Sequence, residues 1–256
     1  ELAKHYDAQV LSLLAEAEAN SRDWPGAMAD FKRALKLTPD DSDLLSGHAT
    51  LALYLDQMNE FDSDESSAVS NALKTKATLD TESAGWINTA AWLCALYPKT
   101  PADSLERLIA LQHNAVSQFP DSYFFKNTLA GIDCQMGGKA CLNELAASMS
   151  MKKSDSSLNE PNGTPWDWIF MALAEARAGH LEDARRLLRQ AMEHASRVVA
   201  DPLYSDPKYA WGWQDELQIQ ILRREVEQQI KASTGRNPTR NPISSIRYWR
   251  AVTPGA

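Results

Sequence analysis

The residues of this 256-residue chain that could do chemistry are five histidines, three cysteines and several short acidic runs. His5, His48, His113, His180 and His194 are scattered without the paired spacing that holds a metal, so each reads as a surface or turn residue. Cys94, Cys134 and Cys141 are an odd set with no C-x-x-C pair. That pattern fits reduced thiols packed as small apolar side chains better than a disulfide framework. Cys134 and Cys141 flank Gly137-Gly138, where a redox pair is the minor alternative. In "FDSDESS", Asp62, Asp64 and Glu65 read as solvating a turn and opening a helix, because a calcium loop would need a central Gly and a closing Glu. The chain has no phosphate-cradling Gly loop, no nucleophile elbow, no H-E-x-x-H and no kinase H-R-D or D-F-G. No catalytic residue, cofactor or metal is therefore expected, and the chain reads as non-enzymatic.

Charge points the same way. The net charge of −8 is uneven: residues 1–130 carry 10 Lys/Arg against 19 Asp/Glu, and residues 131–256 carry 16 against 15. An acidic body opposes general nucleic-acid binding, which depends on neutralising phosphates. No apolar run approaches the ~20 residues a membrane helix needs, so no membrane insertion is expected. No signal-peptide pattern opens the chain, which makes a cytoplasmic location the expectation. Glu1 in first place suggests a fragment or a processed product.

Nearly every segment has helical spacing and none alternates as a strand. The pattern predicts helices over 5–20, 24–37, 42–57, 65–79, 84–96, 103–118, 122–136, 139–150, 166–178, 181–199 and 208–231, paired by short turns. In "RDWPGAMADFKRALKLTPDD", Ala27, Phe31 and Ala34 fall on one helix face at i, i+4 and i+7. The alanines admit a close neighbour, Phe31 fills the space between, and Pro39 ends the unit. The preceding helix offers Leu11, Leu14, Ala15 and Ala19 as the partner face. Ala184-x3-Leu188-x2-Ala191 repeats the arrangement, with Trp168, Met171 and Ala172 before it and Gly179 at the turn.

These two segments resemble tetratricopeptide (TPR) repeats, with residues 8–41 and 165–198 the best matches and 42–79, 83–120 and 122–151 weaker ones. The resemblance implies an all-α, right-handed superhelical solenoid of helix-turn-helix pairs over residues 1–200. A capping helix would follow at 208–231 and a basic tail at 232–256. The order of segments from Trp92 onward is also similar to the C-terminal TPR region of bacterial multidomain chains carrying a Ser/Thr protein kinase or a β-propeller upstream. That likeness implies a regulatory or substrate-recruiting arm as the alternative to a free-standing scaffold.

Such a solenoid binds an extended peptide or a helix in the concave groove lined by the first helix of each pair. The inward positions are Gln9, Ser12, Glu16 and Asn20, then Asp43, Ser46, Thr50 and Tyr54, then Asn127 and Gln135. The Lys/Asn carboxylate clamp of one TPR subtype has Ser12 and Glu16 in its place, so that activity is not carried over. An acidic N-terminal half suits a basic protein or peptide partner. In the tail, Ile246, Tyr248, Trp249 and Arg250 form a second candidate docking cluster, or fold back onto the solenoid. The oligomeric state is left open.

Overall fold

The computed structural model describes residues 2–75, 78–97, 100–138, 140–152, 163–200 and 212–234. Those residues form eleven helices and no strand. They are α1 (Leu2–Asn20), α2 (Trp24–Leu37), α3 (Ser42–Tyr54), α4 (Met58–Ala72), α5 (Thr81–Leu96) and α6 (Ala102–Gln118). Then come α7 (Tyr123–Gln135), α8 (Cys141–Lys152), α9 (Pro165–Ala178), α10 (Leu181–Ala200) and α11 (Trp213–Thr234).

Short polar side chains set the helix starts by taking up backbone N–H groups that have no partner within the first turn. Asp41 accepts from the N–H groups of Asp43 and Leu44, and Asp80 from that of Ser83. Thr164 and Asp167 bond reciprocally at the start of α9, which forms a capping box. Gly179 ends α9 at φ 86°, in the left-handed region that a side chain resists.

The first ten helices pack as five hairpins: α1/α2, α3/α4, α5/α6, α7/α8 and α9/α10. Each hairpin meets the next. The second helix of one touches the first helix of the following pair, and from α3 on the first helices also touch one another. This is a stacked all-α solenoid, with one continuous core running along it. Ala27, Phe31 and Ala34 are buried together in α2, and the edge of the Phe31 ring lies 3.0 Å from where a Cβ on Gly47 would stand. Ala172, Ala184 and Ala191 are fully buried at the same places in the last hairpin, while Leu188 is half-buried.

Five expectations need correction. Residues 58–64, left between the helices expected over 42–57 and 65–79, are not a turn but the start of α4, with Phe61 fully buried. Asp64 and Glu65 are buried inside that helix, not solvating a turn. Asp64 pairs with His48 Nδ1 at 2.6 Å, and Glu65 accepts from the Thr100 hydroxyl at 3.0 Å. His48 is accordingly not a surface residue, being 2% exposed. Cys134 and Cys141 are not free thiols: they form a disulfide across the α7–α8 turn, and only Cys94, buried, is free among the described residues. Leu14, expected to face α2, is exposed, whereas Leu11, Ala15 and Ala19 do pack inward.

Candidate functional site

The concave face is lined by α1, α3, α5, α7 and α9, and α11 lies in it. Besides α9 and α10 of the last hairpin, α11 touches α3 and α5, and it hydrogen-bonds to α1 and α7. It runs in the same direction as α3. Gln214 near its start meets Ser46 and Thr50 of α3, and Arg224 ten residues on meets Tyr54 at the end of α3. On the other side, Glu225 meets Gln135 at the end of α7. The reason lies in its residue pattern. Trp213, Leu217, Ile219, Ile221, Leu222 and Val226 are all buried, which contributes on the order of 10 kcal/mol of gross transfer free energy.

Half of the expected groove residues are therefore engaged by the chain's own helix. Glu16 Oε2 accepts from the Trp213 indole N–H at 2.6 Å. Ser46 and Thr50 accept from the Gln214 amide at 2.8 and 3.3 Å. The Tyr54 carbonyl accepts from Arg224 at 3.0 Å, and that guanidinium stacks 4.7 Å above the Tyr54 ring. Gln135 donates to Glu225 at 2.7 Å and to the Ala95 carbonyl at 2.8 Å.

Two others are structural. Asn20 bonds the Glu16 carbonyl of its own helix. Asn127 donates to Asp167, a fully buried carboxylate that also accepts from Tyr123, Thr164 and Ser148. That hub ties α7, α8 and α9 together. Asp43 is exposed in the first turn of α3. The tail cluster Ile246, Tyr248, Trp249 and Arg250 lies outside the described residues.

Three of the expected set line open space: Asn127 borders a pocket of about 200 Å³ with Trp92, Phe124 and Gln218, and Gln9 and Ser12 border another. With Leu13, Thr38, Asp41 and Leu44 the latter two form a cleft of about 300 Å³ at the α1 end of the concave face, beyond the reach of α11.

Electrostatically, α11 and its neighbours hold carboxylates in places that disfavour their charge. Burial pushes Asp215 upward, only partly offset by the Gly212 N–H bonded to it. Burial also raises Glu225, against the opposing hydrogen bond from Gln135 and the charge of Arg177. Arg177 is lowered by the same burial and held up by Glu225. Its guanidinium additionally donates to the backbone carbonyl of Gln135 at 2.7 Å, so α7, α9 and α11 meet at one cation.

What the spacing did not reveal is the second face of α1. Tyr6, Val10, Leu13 and Leu14 are 60%, 63%, 71% and 44% exposed. Among the described residues, four of the seven exposed large hydrophobic side chains thus lie on one helix. The signal was present, since residues 6, 10, 13 and 17 follow the 4-3-4 rhythm of a helix seam, but it was overlaid by the inward row at Ala8, Leu11, Ala15 and Ala19. Among the described residues no group of three or more His, Cys, Asp or Glu is placed to hold a metal.

Neither the protein-family models nor the curated proteins give a match. Among solved structures, a TPR protein of Thermus thermophilus aligns with a TM-score of 0.46 and 18% identity, over 79% of this chain and 97% of that one.

Proposed function

We propose that the chain is a non-enzymatic protein-interaction scaffold that receives its partner at the α1 end of the solenoid rather than along the concave groove. The observation that carries this is the apolar face of α1 left exposed among the described residues, next to the cleft formed with α3. Contiguous exposed apolar surface on one element marks an interaction site more often than chance scatter does. The groove is a poor alternative, because a peptide entering it would have to displace six buried side chains of α11.

The partner is basic. Asp7 on α1 and Asp40, Asp41 and Asp43 at the adjoining start of α3 are all exposed, and opposite charge at the rim sets association rate and partner choice. The same surface serves if the module is the recruiting arm of a larger Ser/Thr protein kinase, with the docked protein as that enzyme's substrate or regulator.

The test is a titration with an amphipathic Lys/Leu/Ala peptide and its Glu/Leu/Ala counterpart. The expected result is binding of the lysine peptide alone, weakened by salt and lost in the double variant Val10→Glu, Leu13→Glu. Equal binding of both peptides, or binding that survives the double variant, contradicts the reading.

A further inference from the structure

The repeat register says what kind of surface the bare face of α1 is. Ala15 and Ala49, both fully buried, stand 34 residues apart at equivalent places in α1 and α3. In that register Val10, Leu13, Leu14 and Ala17 correspond to Leu44, Gly47, His48 and Leu51. All four of the α1 residues are exposed, and all four of the α3 residues are buried.

The difference is the helix that comes before. On α3, α2 packs against this face and seats the Phe31 ring on Gly47, while His48 meets Asp64 of α4. The same contact recurs with α4 on α5, α6 on α7 and α8 on α9. Among the described residues nothing plays that part for α1. At the other end of the stack, α11 covers α9 and α10. Among the described residues, then, α9 is covered and this face of α1 is not, so α1 presents repeat-interface surface.

We propose that this face of α1 docks one helix of a partner protein, seated as α2 is seated on α3, so that the partner adds a further layer to the stack. The location rests on the reading given above; the helical occupant and its pattern come from the register. Where α3 offers a hole at Gly47, α1 offers the Leu13 side chain, so a Phe at the place of Phe31 would collide with it. The partner helix must carry Ala or Gly opposite Leu13, with larger apolar residues flanking it over Val10 and Ala17. Its edges are basic, facing Asp7, Asp41 and Asp43.

A second copy of α1 does not meet this description. It would set Leu13 or Val10 against Leu13 and bring the Asp7 carboxylates onto the same acidic rim.

The experiment supplies the occupant in cis. Residues 7–40 are duplicated in frame, so that the first copy of α2 leads through its own Thr38–Asp40 turn into the second copy of α1. The first copy also carries Phe31→Ala, to make room for Leu13. The expected result is a rise in Tm of about 5 °C, with amides 10–17 of the second copy exchanging more slowly than in the undisplaced parent. Leu13→Glu in the second copy alone should abolish both effects. No gain in Tm and no added protection, while the Lys/Leu/Ala peptide still binds, would overturn the helical seam and leave the docking surface standing; loss of peptide binding as well would overturn both. Should the duplicated chain fail to fold, sedimentation of the parent chain decides. A monomer at all concentrations agrees with the proposal, and a dimer removed by Leu13→Glu replaces it with a second copy as occupant.

Discussion

Asp215 shows how a single side chain on α11 couples the closed groove to solution conditions. Its pKa is raised by burial in the folded chain, so between the ordinary carboxylate value of about 4 and its raised value the folded state holds a proton that the unfolded state has released. Stability contributed through this group therefore falls as pH rises through that window. Asp64, Asp133, Glu144 and Glu225 are raised by burial too and act in the same sense, against the lowered Glu60 bonded to Lys32. Thermal unfolding followed from pH 4 to pH 7 should show Tm declining. Asp215→Asn should flatten that decline and raise Tm at pH 7; an unchanged slope in this variant would show that the carboxylate is not desolvated. The cysteines make a second claim at this scale. Burial pushes the Cys94 thiol far up, out of the nucleophilic range, so the folded chain should not react with maleimide. After unfolding without reductant it should titrate as one thiol, and a count of three would contradict the Cys134–Cys141 bridge.

The element scale is where the packing logic is sharpest, in the contact of α2 with α3. Phe31→Ala empties the knob that Gly47 receives and should cost about 3–5 kcal/mol, read from denaturant unfolding. Gly47→Ala puts a methyl within 3.0 Å of the ring and should destabilise as well, by overpacking. A double variant that restores most of the loss would confirm that the two positions share one volume, and simple additivity would deny it.

This packing was legible before the structure, because Ala27, Phe31 and Ala34 leave one reading for a helix face and Pro39 one reading for its end. The starts of α3, α7 and α9 were read to within one residue, and there Asp41, Ser122 and Thr164 are local caps that need no tertiary context. The α4 helix was not, because its acidic run looks solvated until His48 and Thr100 arrive from elsewhere in the chain. The disulfide was not either: seven residues of separation say nothing about pairing until α7 and α8 fold back on one another.

At the scale of the whole molecule, the apolar stripe of α11 was read as covering the last repeat, and it does touch α9 and α10. Its full path was hidden because Glu16, Ser46, Thr50 and Tyr54 are ordinary polar residues whose partners lie more than 160 positions away. Periodicity reports which face of a helix is buried, not what it is buried against. The same blindness concealed the exposed face of α1, because a second apolar row there looks like generous core until the register with α3 is drawn.

Hydrogen exchange of the full chain with and without saturating Lys/Leu/Ala peptide joins these points in one measurement. The expected result is new protection confined to amides 6–17 of α1 and the start of α3, with α11 amides 217–226 slow in both samples. Protection appearing instead at residues 46–54, with faster exchange along α11, would mean that the groove opens and takes the partner, contradicting the account.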